Sequence, residues 1–533
     1  MAKNAEQWLK SQIITEEKRA LARLALEDVR AGYKVFDALR RNPLPGGAGF
    51  LSKAVLVAVY RDLVAQGIWE SDPALLAKIR RKPTRTLSGV TTVTVLTKPY
   101  PCPGKCIFCP TDVRMPKSYL PDEPGAMRAL FHEFDPYDQV EARIQALYDV
   151  GHPTEKIELL ILGGTWSAYR HDYQTWFLKR CFDAMNKVDS DTLEQAQSLN
   201  ETAVHRNVGL VVETRPDHVN PKELAAMRRF GVTKVQIGAQ SLDDRILAAN
   251  QRGHTVDELR DAVALLRAAG FKIVLHWMPN LLGATVDSDR EDFSRFWVGI
   301  APDELKIYPT QLLKNAELYQ NWQRGEYHPY STDTLIELIA DIKTTIPRYC
   351  RVNRVIRDIP STNVVDGNKR TSLRMDVQRV LKERGEQCDC IRCREVRSAN
   401  INSDDLVLHD LIYEAAFAEE HFISYITPDD KITGFLRLSL PKADAPATNL
   451  PDLLDAAIIR EVHVYGQSLQ VGQEHKGAPQ HAGLGTRLLK EADQIARDRG
   501  FNRMAVISAI GTRRYYLDRG FQRGALYLVK DLS

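Results

Sequence analysis

The chain has 533 residues, enough for two to four domains, and its hydrophobic and charged contents of 44% and 26% are ordinary for a soluble protein. No apolar run approaches the ~20 residues needed to span a bilayer, and the first twelve residues lack the apolar core of a secretory signal. Six of the eight cysteines form two short clusters, which favours metal binding over disulfides. These features argue against a membrane-spanning or secreted protein, and we expect a cytoplasmic location.

The net charge is only +3, but the basic residues are unevenly distributed. Residues 1–100 carry 17 Lys and Arg against 9 Asp and Glu, and residues 348–397 carry 13 against 7. Two basic zones on an otherwise acidic chain are typical of a protein that docks a polyanion at defined places. Solvated basic surfaces without a partner explain the charge pattern equally well.

Residues 1–85 are predicted to form a helical N-terminal region. Apolar residues recur at spacings of three and four, as in Leu21 and Leu24 or Val35 and Leu39. The region ends in a basic segment, residues 78–85, which holds five cations. We expect this segment to contact a phosphate backbone, although such runs are usually solvated surface.

Residues 86–347 alternate short β-rich runs with helical stretches, which predicts a parallel sheet covered by helices. The predicted strands are 91–98, 157–164, 208–216, 234–241, 272–280 and 304–310. Six such repeats predict a partial (β/α)6 barrel, which helices over 311–347 close. In barrels of this kind the functional groups lie at the carboxyl ends of the strands.

Three cysteines directly follow the first predicted strand. Cys102, Cys106 and Cys109 have C-x3-C-x2-C spacing, and thiolates this close on a turn-rich loop converge on one soft metal centre. The loop resembles that of the radical S-adenosylmethionine (SAM) enzymes, in which three cysteines hold a four-iron cluster whose open iron binds SAM. A zinc knuckle or a redox dithiol is the alternative, but the position after the first barrel strand favours the iron cluster.

Polar residues stand at the ends of the other predicted strands. The second strand ends in Gly163, Gly164 and Thr165, which resemble the glycine motif that meets the SAM amino group. The remaining polar groups are Glu213, Arg215, Gln236, Gln240, His276, Asn280, Lys306 and Tyr308. Any single one has a structural explanation, but together they predict a site at one rim of the sheet.

A second cysteine cluster lies in residues 348–400, a short basic linker. Cys388, Cys390 and Cys393 have C-x-C-x2-C spacing, and three thiols in a segment with little core of its own predict a structural zinc site. Cys350 is the candidate fourth ligand, with a buried unliganded thiol as the alternative. Cys181 lies in a predicted helix, and we expect it to be a core residue.

Residues 401–533 are predicted to form a second α/β unit. We expect a helix over 404–419, strands over 432–440 and 458–465, a polar loop over 466–479 and a helix over 486–499. The glycine turn 480–485 enters that last helix, where free N–H groups and the positive helix end suit a pyrophosphate. This order, completed by a strand at 504–508 and by Tyr515 and Tyr516, resembles that of a GNAT acetyltransferase.

Taken together, these segments resemble the family of Elongator catalytic subunits in its bacterial and archaeal form, over nearly the whole chain. The motifs that carry the resemblance are Arg81–Gly89, the first cysteine loop, Ser118-Tyr119 with Glu123–Arg128, Gly163–Thr165, Arg357–Pro360, Cys393–Val396, Glu461–Gly466, Gln480–Gly485 and Gly511–Tyr516. Few other proteins place a radical-SAM barrel before an acetyltransferase unit. The chain departs from many members in having fewer residues between its first two cysteines, which we interpret as a shorter loop.

The resemblance implies an enzyme that uses acetyl-CoA and SAM to form 5-carboxymethyluridine at the wobble position, uridine 34, of tRNA. Acetyl-CoA hydrolysis would be stimulated by tRNA. The C5 atom of uracil is too weak a nucleophile for ordinary acyl transfer, so radical chemistry is a reasonable solution. The implied partner is the tRNA anticodon stem-loop, gripped by the two basic zones, and no membrane is involved.

The resemblance also implies roles for individual residues. Cys102, Cys106 and Cys109 would hold a 4Fe-4S cluster, and Gly163, Gly164 and Thr165 would meet SAM. The implied acetyl-CoA contacts are Lys156, Glu461, Val462, His463, Val464, Gln480, Gly483, Leu484, Gly485, Thr486 and Tyr516. The candidate catalytic groups are Lys156, Tyr515 and Tyr516, and the tyrosines would protonate the leaving thiolate.

Two other functions remain open from the sequence. One is a protein lysine acetyltransferase in which the barrel is only a scaffold. The other is an RNA-binding platform that engages acetyl-CoA without turnover. A homo-oligomer and an assembly with other Elongator-like subunits are both compatible with the sequence.

Overall fold

The computed structural model describes residues 14–47, 49–397, 402–465 and 483–532. The chain divides into two compact units. The first comprises Met1–Thr91 and Glu141–Lys156, and the second comprises Thr92–Val140 and Ile157–Ser533. Within the described ranges, no helix combines the length and the apolar character needed to cross a lipid bilayer. The predicted loop 466–479 and Gln480 lie outside the described residues.

The first unit is helical, as predicted. Its helices are α1 (Glu16–Arg30), α2 (Val35–Arg41), α3 (Lys53–Ala65), α4 (Pro73–Ile79) and the second half of α6 (Pro136–Asp149). Thr15, Ser52 and Asp72 are the N-cap residues of α1, α3 and α4. Each side chain accepts a hydrogen bond from the backbone N–H three residues further on, as is usual at a helix amino terminus. The apolar faces enclose a core around Leu26 and Tyr60.

A seven-stranded sheet forms the first part of the second unit. Its strands, in spatial order, are β1 (Thr91–Leu96), β2 (Lys156–Leu162), β3 (Arg206–Thr214), β4 (Lys234–Gln240), β5 (Lys272–Trp277), β6 (Glu304–Ile307) and β7 (Arg351–Arg354). Strands β3 to β7 pair in parallel. All six predicted strands are present, and the sheet has a seventh strand, β7, beyond residue 347. The seventh strand is short and charged, with only Val352 fully buried, so it lacks the apolar signature of the others.

Helices separate these strands, which confirms the predicted β–α alternation. They are α5 (Pro124–Phe131), α6, α7 (His171–Asn186), α8 (Leu193–Asn200), α9 (Pro221–Arg229), α10 (Asp244–Ala249), α11 (Val256–Ala268), α12 (Val286–Ser294), α13 (Leu318–Gln323) and α14 (Thr332–Thr344), whereas α15 (Leu373–Glu383) and α16 (Ile391–Arg394) follow β7. Helix α11 shows how the sequence sets the bounds. A capping box between Thr255 and Glu258 begins it, and Gly270, at φ +76°, lets the chain reverse into β5.

A second seven-stranded sheet follows. Its strands are β8 (Val407–Ala415), β9 (Ala418–Ile426), β10 (Ile432–Pro441), β11 (Ala456–Val464), β12 (Arg503–Val506), β13 (Gln522–Arg523) and β14 (Leu528–Asp531), in spatial order β13-β14-β12-β11-β10-β9-β8. The sheet is mixed, because β11 and β12 pair in parallel and the other neighbours are antiparallel. Helix α17 (Leu484–Asp498) packs its apolar side on this sheet, and the short helix α18 (Arg513–Leu517) follows β12.

The helix predicted over 404–419 was wrong, because most of this segment is strand β8. Leu408, Leu411, Ile412 and Ala415 have helical spacing, which misled the prediction. Strand β8 pairs only with β9 and lies at the edge of the sheet. Its residues are mostly exposed, so the alternation of a half-buried strand is absent from the sequence.

The second sheet contacts the first at the amino ends of the parallel strands. The Arg460 side chain donates to the carbonyl oxygen of Phe271 at 2.9 Å, immediately before β5. The Arg437 side chain donates to the carbonyl oxygen of Tyr349 at 2.8 Å, shortly before β7. The first cysteine loop instead follows the carboxyl end of β1. The two candidate sites therefore lie toward opposite ends of the same strands.

Candidate functional site

The first cysteine loop brings two of its three thiols into direct contact. Cys106 and Cys109 share a hydrogen bond. Cys102 points elsewhere, with its Sγ 3.9 Å from Thr165 Oγ1 and 3.4 Å from the Gly104 amide, which donates to it. Among the described residues these three sulfurs do not form a compact triad. The contact between Cys102 and Thr165 nevertheless brings the cysteine loop next to the predicted glycine turn, residues 163–165.

The surroundings of this loop favour the thiolate form of Cys106. A hydrogen bond from Cys109 and the neighbouring Arg252 and Arg215 lower the pKa of Cys106 to about 5, against the effect of burial. Arg252 Nη1 lies 3.7 Å from the Cys106 sulfur. Donation to Cys106 and burial raise the pKa of Cys109. A thiolate is the form that binds a metal, so one ligand is prepared for metal binding.

The glycine turn beside the cysteine loop packs closely against the end of β1. Gly163 and Gly164 have φ values of +138° and +98°. A Cβ at Gly163 would lie 1.8 Å from Thr97 Oγ1, so only glycine fits this position. The Tyr169 hydroxyl is bonded to both Thr97 and the Gly163 carbonyl, which fixes the turn.

Two guanidinium groups near the loop keep unused donors. Arg215 binds Asp217 at 2.9 Å, but its Nη1 has no hydrogen-bond partner among the described residues, and the same holds for Nε of Arg252. Unused cationic donors beside the loop suit an anionic ligand. Three thiols, the glycine turn and these donors together fit a 4Fe-4S cluster with SAM.

Polar side chains from four neighbouring strands meet on one face of the first sheet. His276 Nε2 lies 3.0 Å from Gln236 Oε1, and His276 Nδ1 lies 3.7 Å from Glu213 Oε1. The Lys306 ammonium donates to the same Gln236 oxygen. Burial and Lys306 lower the pKa of His276, while burial raises the pKa of Glu213. We call these four residues the polar face.

The predicted rim residues are thus only partly assembled. The polar face contains four of them, and Tyr308 packs against His276 with ring centroids 5.5 Å apart. Asn280 instead has a structural role. Its backbone N–H donates to the Asp289 carboxylate, and its side-chain oxygen accepts the backbone N–H of Tyr330. Arg252 was missed by the sequence analysis, since it lies between two helices and no motif marks it.

The second cysteine cluster is compact. The sulfur atoms of Cys388, Cys390 and Cys393 all lie within 4.8 Å of one another. Sulfurs that share one zinc ion through bonds of about 2.3 Å must lie this close, so the three thiols fit zinc. Cys350 is buried and is not part of this compact group, so its role as the fourth ligand stays a prediction. Its carbonyl accepts the Ile391 N–H at 2.9 Å, and this bond holds the backbone nearby.

Much of the basic zone 348–397 is neutralised inside the protein. Arg351 binds Glu395 at 2.8 Å, Arg357 binds Glu123 at 3.0 Å and Arg394 binds Asp430 at 2.6 Å. Exposed cations outside these ion pairs include Lys369, Lys382 and Arg397. This zone therefore offers a polyanion much less charge than its composition indicates.

The basic segment 78–85 of the first unit keeps more of its charge at the surface. Lys78, Arg81 and Lys82 are exposed. Arg80 is half-buried and donates to the Gly151 carbonyl at 2.8 Å, so it serves the fold of that unit. Exposed cations on a short turn remain available to phosphate groups.

The second sheet contains an opening between two parallel strands. Strand β11 pairs with β12 only over Ala456–Ile459, so Glu461–Val464 continue without β12 as a neighbour. Gly483, at φ +63°, begins α17 beside this opening, and a Cβ at Gly485 would lie 2.4 Å from the Tyr515 hydroxyl. The end of β11 beyond β12 and a helix amino terminus thus lie close together, since Val464 Cγ2 is 3.9 Å from a Cβ built at Gly485.

The other predicted residues of this opening have mixed roles. Lys272 and Arg437 hold the pKa of Glu461 below its usual value although burial opposes ionisation. Burial lowers the pKa of His463 to about 4. Tyr516 packs into the core of the second sheet, whereas Tyr515 lies at its margin. Val462 and Val464 pack against the same core, Leu484 is part of it, and Thr486 Oγ1 accepts from Arg519 at 3.2 Å. Lys156 is the half-buried first residue of β2.

Known proteins resemble this chain over most of its length. Residues 100–296 match the Radical SAM superfamily, and residues 302–383 match the Radical_SAM C-terminal domain. A protein of Dehalococcoides mccartyi named tRNA uridine(34) acetyltransferase is 43% identical over 463 residues, which cover 85% of this chain and all of that protein. The chain belongs to the tRNA uridine(34) acetyltransferase family. Human Elongator complex protein 3 is 35% identical over 493 residues, 89% of each chain.

A solved structure supports the same family assignment. The archaeal Methanocaldococcus infernus Elp3 with an N-terminal deletion superimposes with a TM-score of 0.73 at 37% identity, over 83% of this chain and 99% of that one. Membership of the tRNA uridine(34) acetyltransferase family confirms the resemblance predicted from the motifs. The Radical SAM match contains the first cysteine loop and Gly163–Thr165, and the Radical_SAM C-terminal match ends before Cys388.

Proposed function

We propose that this chain is a tRNA uridine(34) acetyltransferase that forms 5-carboxymethyluridine at the wobble position from acetyl-CoA and SAM. The observation that carries the proposal is the contact between Cys102 and Thr165, which joins the cysteine loop to the glycine turn at the carboxyl end of a radical SAM sheet. The names of the relatives supply the substrate.

The cluster and SAM, when bound, supply a carbon-centred radical able to activate the acetyl methyl group for addition to C5 of uracil. The chain's own residues have supporting tasks in this proposal. Cys102, Cys106 and Cys109 hold the cluster, and the backbone of Gly163 and Gly164 approaches SAM. Arg252 and Arg215 offer the unused cationic donors beside the loop.

The polar face is the proposed binding site of the wobble uracil after it leaves the base stack. A wobble base lies in a loop and is extruded at limited unstacking cost. Lys306 is a cationic donor suited to a uracil carbonyl oxygen, and neutral His276 adds a donor or an acceptor. The pKa of His276 is lowered by burial and by Lys306, which keeps the imidazole uncharged near neutral pH.

The opening beside β11 is the proposed acetyl-CoA site of a GNAT-type domain. Support comes from Glu461–Val464, which pair with β10 and extend past the end of β12, and from the amino terminus of α17 at Gly483, which suits a pyrophosphate. Tyr515 is the proposed proton donor to the departing thiolate, because its hydroxyl lies against Gly485 at the start of the helix. Lys156 and Gln480 remain predicted contributors.

Three further assignments belong to this proposal. Cys388, Cys390 and Cys393 form a structural zinc site. The basic segment 78–85 contacts tRNA phosphates, and a cytoplasmic location follows from the tRNA substrate. Self-association or partner subunits of the Elongator type are compatible with these assignments.

The decisive experiment is mass spectrometry of tRNA nucleosides after anaerobic incubation with SAM and acetyl-CoA. We expect 5-carboxymethyluridine at position 34, and none from the C106A/C109A variant. Cys181→Ala is the matched control, since Cys181 is buried in α7 away from either cysteine cluster. Acetylation of lysine peptides without tRNA modification would instead favour a protein acetyltransferase.

A further inference from the structure

A row of four aromatic side chains begins beside the first cysteine loop. The ring centroids of Tyr100 and Tyr169 lie 4.8 Å apart, and those of Tyr169 and Tyr173 lie 5.2 Å apart. Trp176 follows, with its ring centroid 5.6 Å from that of Tyr173. Centroid distances of about 4.5–7 Å are those of favourable aromatic pairs. We call these four residues the aromatic row.

The outer end of the aromatic row is open to solvent. Tyr169 is buried and Tyr173 is partly exposed, whereas Trp176 is 43% exposed. Of the tryptophans in the described ranges, only Trp176 is exposed. A single exposed apolar residue needs no explanation. The observation that indicates a ligand is that this exposed indole continues a row of contacting rings.

The aromatic row is fixed to the end of β1 and to the glycine turn. The Tyr169 hydroxyl donates to the Lys98 carbonyl at 2.8 Å and lies 3.1 Å from the Gly163 carbonyl oxygen. The Tyr173 hydroxyl accepts the Lys98 N–H at 3.1 Å. These rings are therefore held in place before any ligand arrives, so binding to them costs little side-chain entropy.

Two exposed cations lie beside the aromatic row. The Lys98 ammonium lies 4.7 Å from the centre of the Tyr173 ring. Arg170 immediately precedes α7 and pairs with Asp172 at 2.6 Å, and both side chains are exposed. Such a surface pair has little net value, so the guanidinium can turn to a phosphate group. Aromatic rings for bases and cations for phosphates are the two components of sites that bind single-stranded RNA.

We propose that the aromatic row binds unpaired nucleotides that flank the modified uridine, with one base stacked on Trp176 and with Lys98 and Arg170 beside the phosphates. The inference rests on the proposed function for the identity of the RNA. Tyr100 lies two residues before Cys102, so the inner end of the row is next to the proposed cluster, and nucleotides adjacent to the wobble base come within its reach. Stacking tolerates any base, so this site accepts anticodon loops of different sequence.

The test measures binding of the full chain to a fluorescently labelled anticodon stem-loop by anisotropy. Trp176→Leu keeps an apolar side chain but removes the aromatic surface, and we expect it to weaken binding about 5- to 150-fold. Trp176→Phe keeps a ring and should retain most of the affinity. Phe417→Leu is the matched control, because Phe417 is an exposed aromatic residue in the turn between β8 and β9, outside the row, and this variant should bind as the parent does.

Stem-loops with an abasic site at each loop nucleotide beside the wobble position separate stacking from an effect on folding. Where the missing base is the one that stacks on Trp176, the parent and W176L should bind the RNA equally, because the two changes remove the same contact. Lys98→Ala should lower the slope of log affinity against log salt by about one.

Equal affinity of the parent and W176L for the intact stem-loop would overturn the proposal. The same loss in W176L with every RNA, intact or abasic, would also overturn it, since no base would then depend on the indole. Self-association of the parent that W176L abolishes, with RNA affinity unchanged, would instead assign the row to a contact between copies. Mass spectrometry of nucleosides formed by the parent tests the proposed reaction separately.

Discussion

Cys102 and Thr165 lie 3.9 Å apart, from Sγ to Oγ1, although 63 residues separate them in the chain. The contact joins the loop after β1 to the turn after β2, at the same end of two neighbouring strands. The proposed cluster ligand and the proposed SAM turn are thereby parts of one structure. A substitution in the turn should therefore weaken SAM binding and cleavage while the cysteines still hold the iron cluster.

Gly163→Ala is the direct test of this relationship. The new Cβ would collide with Thr97 Oγ1, and φ at this position is +138°, so the turn must distort. Strain of about 1–3 kcal/mol corresponds to a roughly 5- to 150-fold loss of SAM binding and cleavage. The iron content of the reconstituted protein should stay unchanged. Gly125→Ala, where a Cβ meets only ordinary contact at 3.8 Å, is the control and should bind SAM normally.

Arg460→Met should destabilise the second unit. Arg460 Nη1 donates to Asp303 at 3.0 Å and to Glu420 at 2.7 Å, and all three side chains are fully buried. Removing one partner of such a group costs about 3–5 kcal/mol, because the remaining carboxylates stay buried without compensation. Urea unfolding measures the effect. Arg499→Met, which removes an exposed partner of Glu419, should cost less than about 1 kcal/mol.

Tyr515→Phe should slow tRNA-stimulated hydrolysis of acetyl-CoA about 100-fold, the range expected for loss of a general acid. Tyr413→Phe is the control, because it keeps the ring that stacks on Tyr349 at 3.8 Å. A proton donor works below its pKa and fails as the pH rises through it. Burial raises the pKa of Tyr515 above its ordinary value of 10.0, so the rate should not fall on the alkaline side below that pH. An equal rate for Y515F would contradict this role.

Arg81→Ala combined with Lys82→Ala should weaken tRNA binding with little effect on folding, because both side chains are exposed. If each contacts one phosphate, the slope of log affinity against log salt should fall by about two. Filter binding of tRNA at several salt concentrations measures this slope. Lys442→Ala, which removes a cation paired with Glu414, should leave it unchanged. The same slope in both variants would show that segment 78–85 does not contact RNA.

The sequence located the strands of the first sheet well wherever apolar runs mark them, as in 157–164 for β2 and 272–280 for β5. The sequence did not predict strands that form only because a neighbouring strand offers backbone hydrogen bonds. Strand β7 has one fully buried residue and forms because β6 offers an edge. Strand β8 has apolar residues at helical spacing and belongs to a hairpin with β9. Local pattern carries no information about such neighbours.

The candidate site was predictable to the extent that motifs mark it. The first cysteine loop and Gly163–Thr165 follow strands, so their meeting could be expected from the geometry of parallel sheets. Arg252 could not be expected, because only the folded chain brings it beside Cys106, which is distant in sequence. The role of Cys350 as a fourth ligand stays a prediction, because the compact group of described sulfurs contains the other three cysteines.

The buried charges between the two sheets also bear on how the protein is made. Asp303 and Arg267 are buried residues of the first sheet's domain, and their partners Arg460 and Glu420 are synthesised much later, 157 residues later in the case of Arg460 and Asp303. A chain that ends at residue 397 lacks Arg460 and Glu420, so among the described residues Asp303 and Arg267 keep only each other as a charged partner. We therefore expect the parallel sheet to be less stable when the C-terminal sheet is removed.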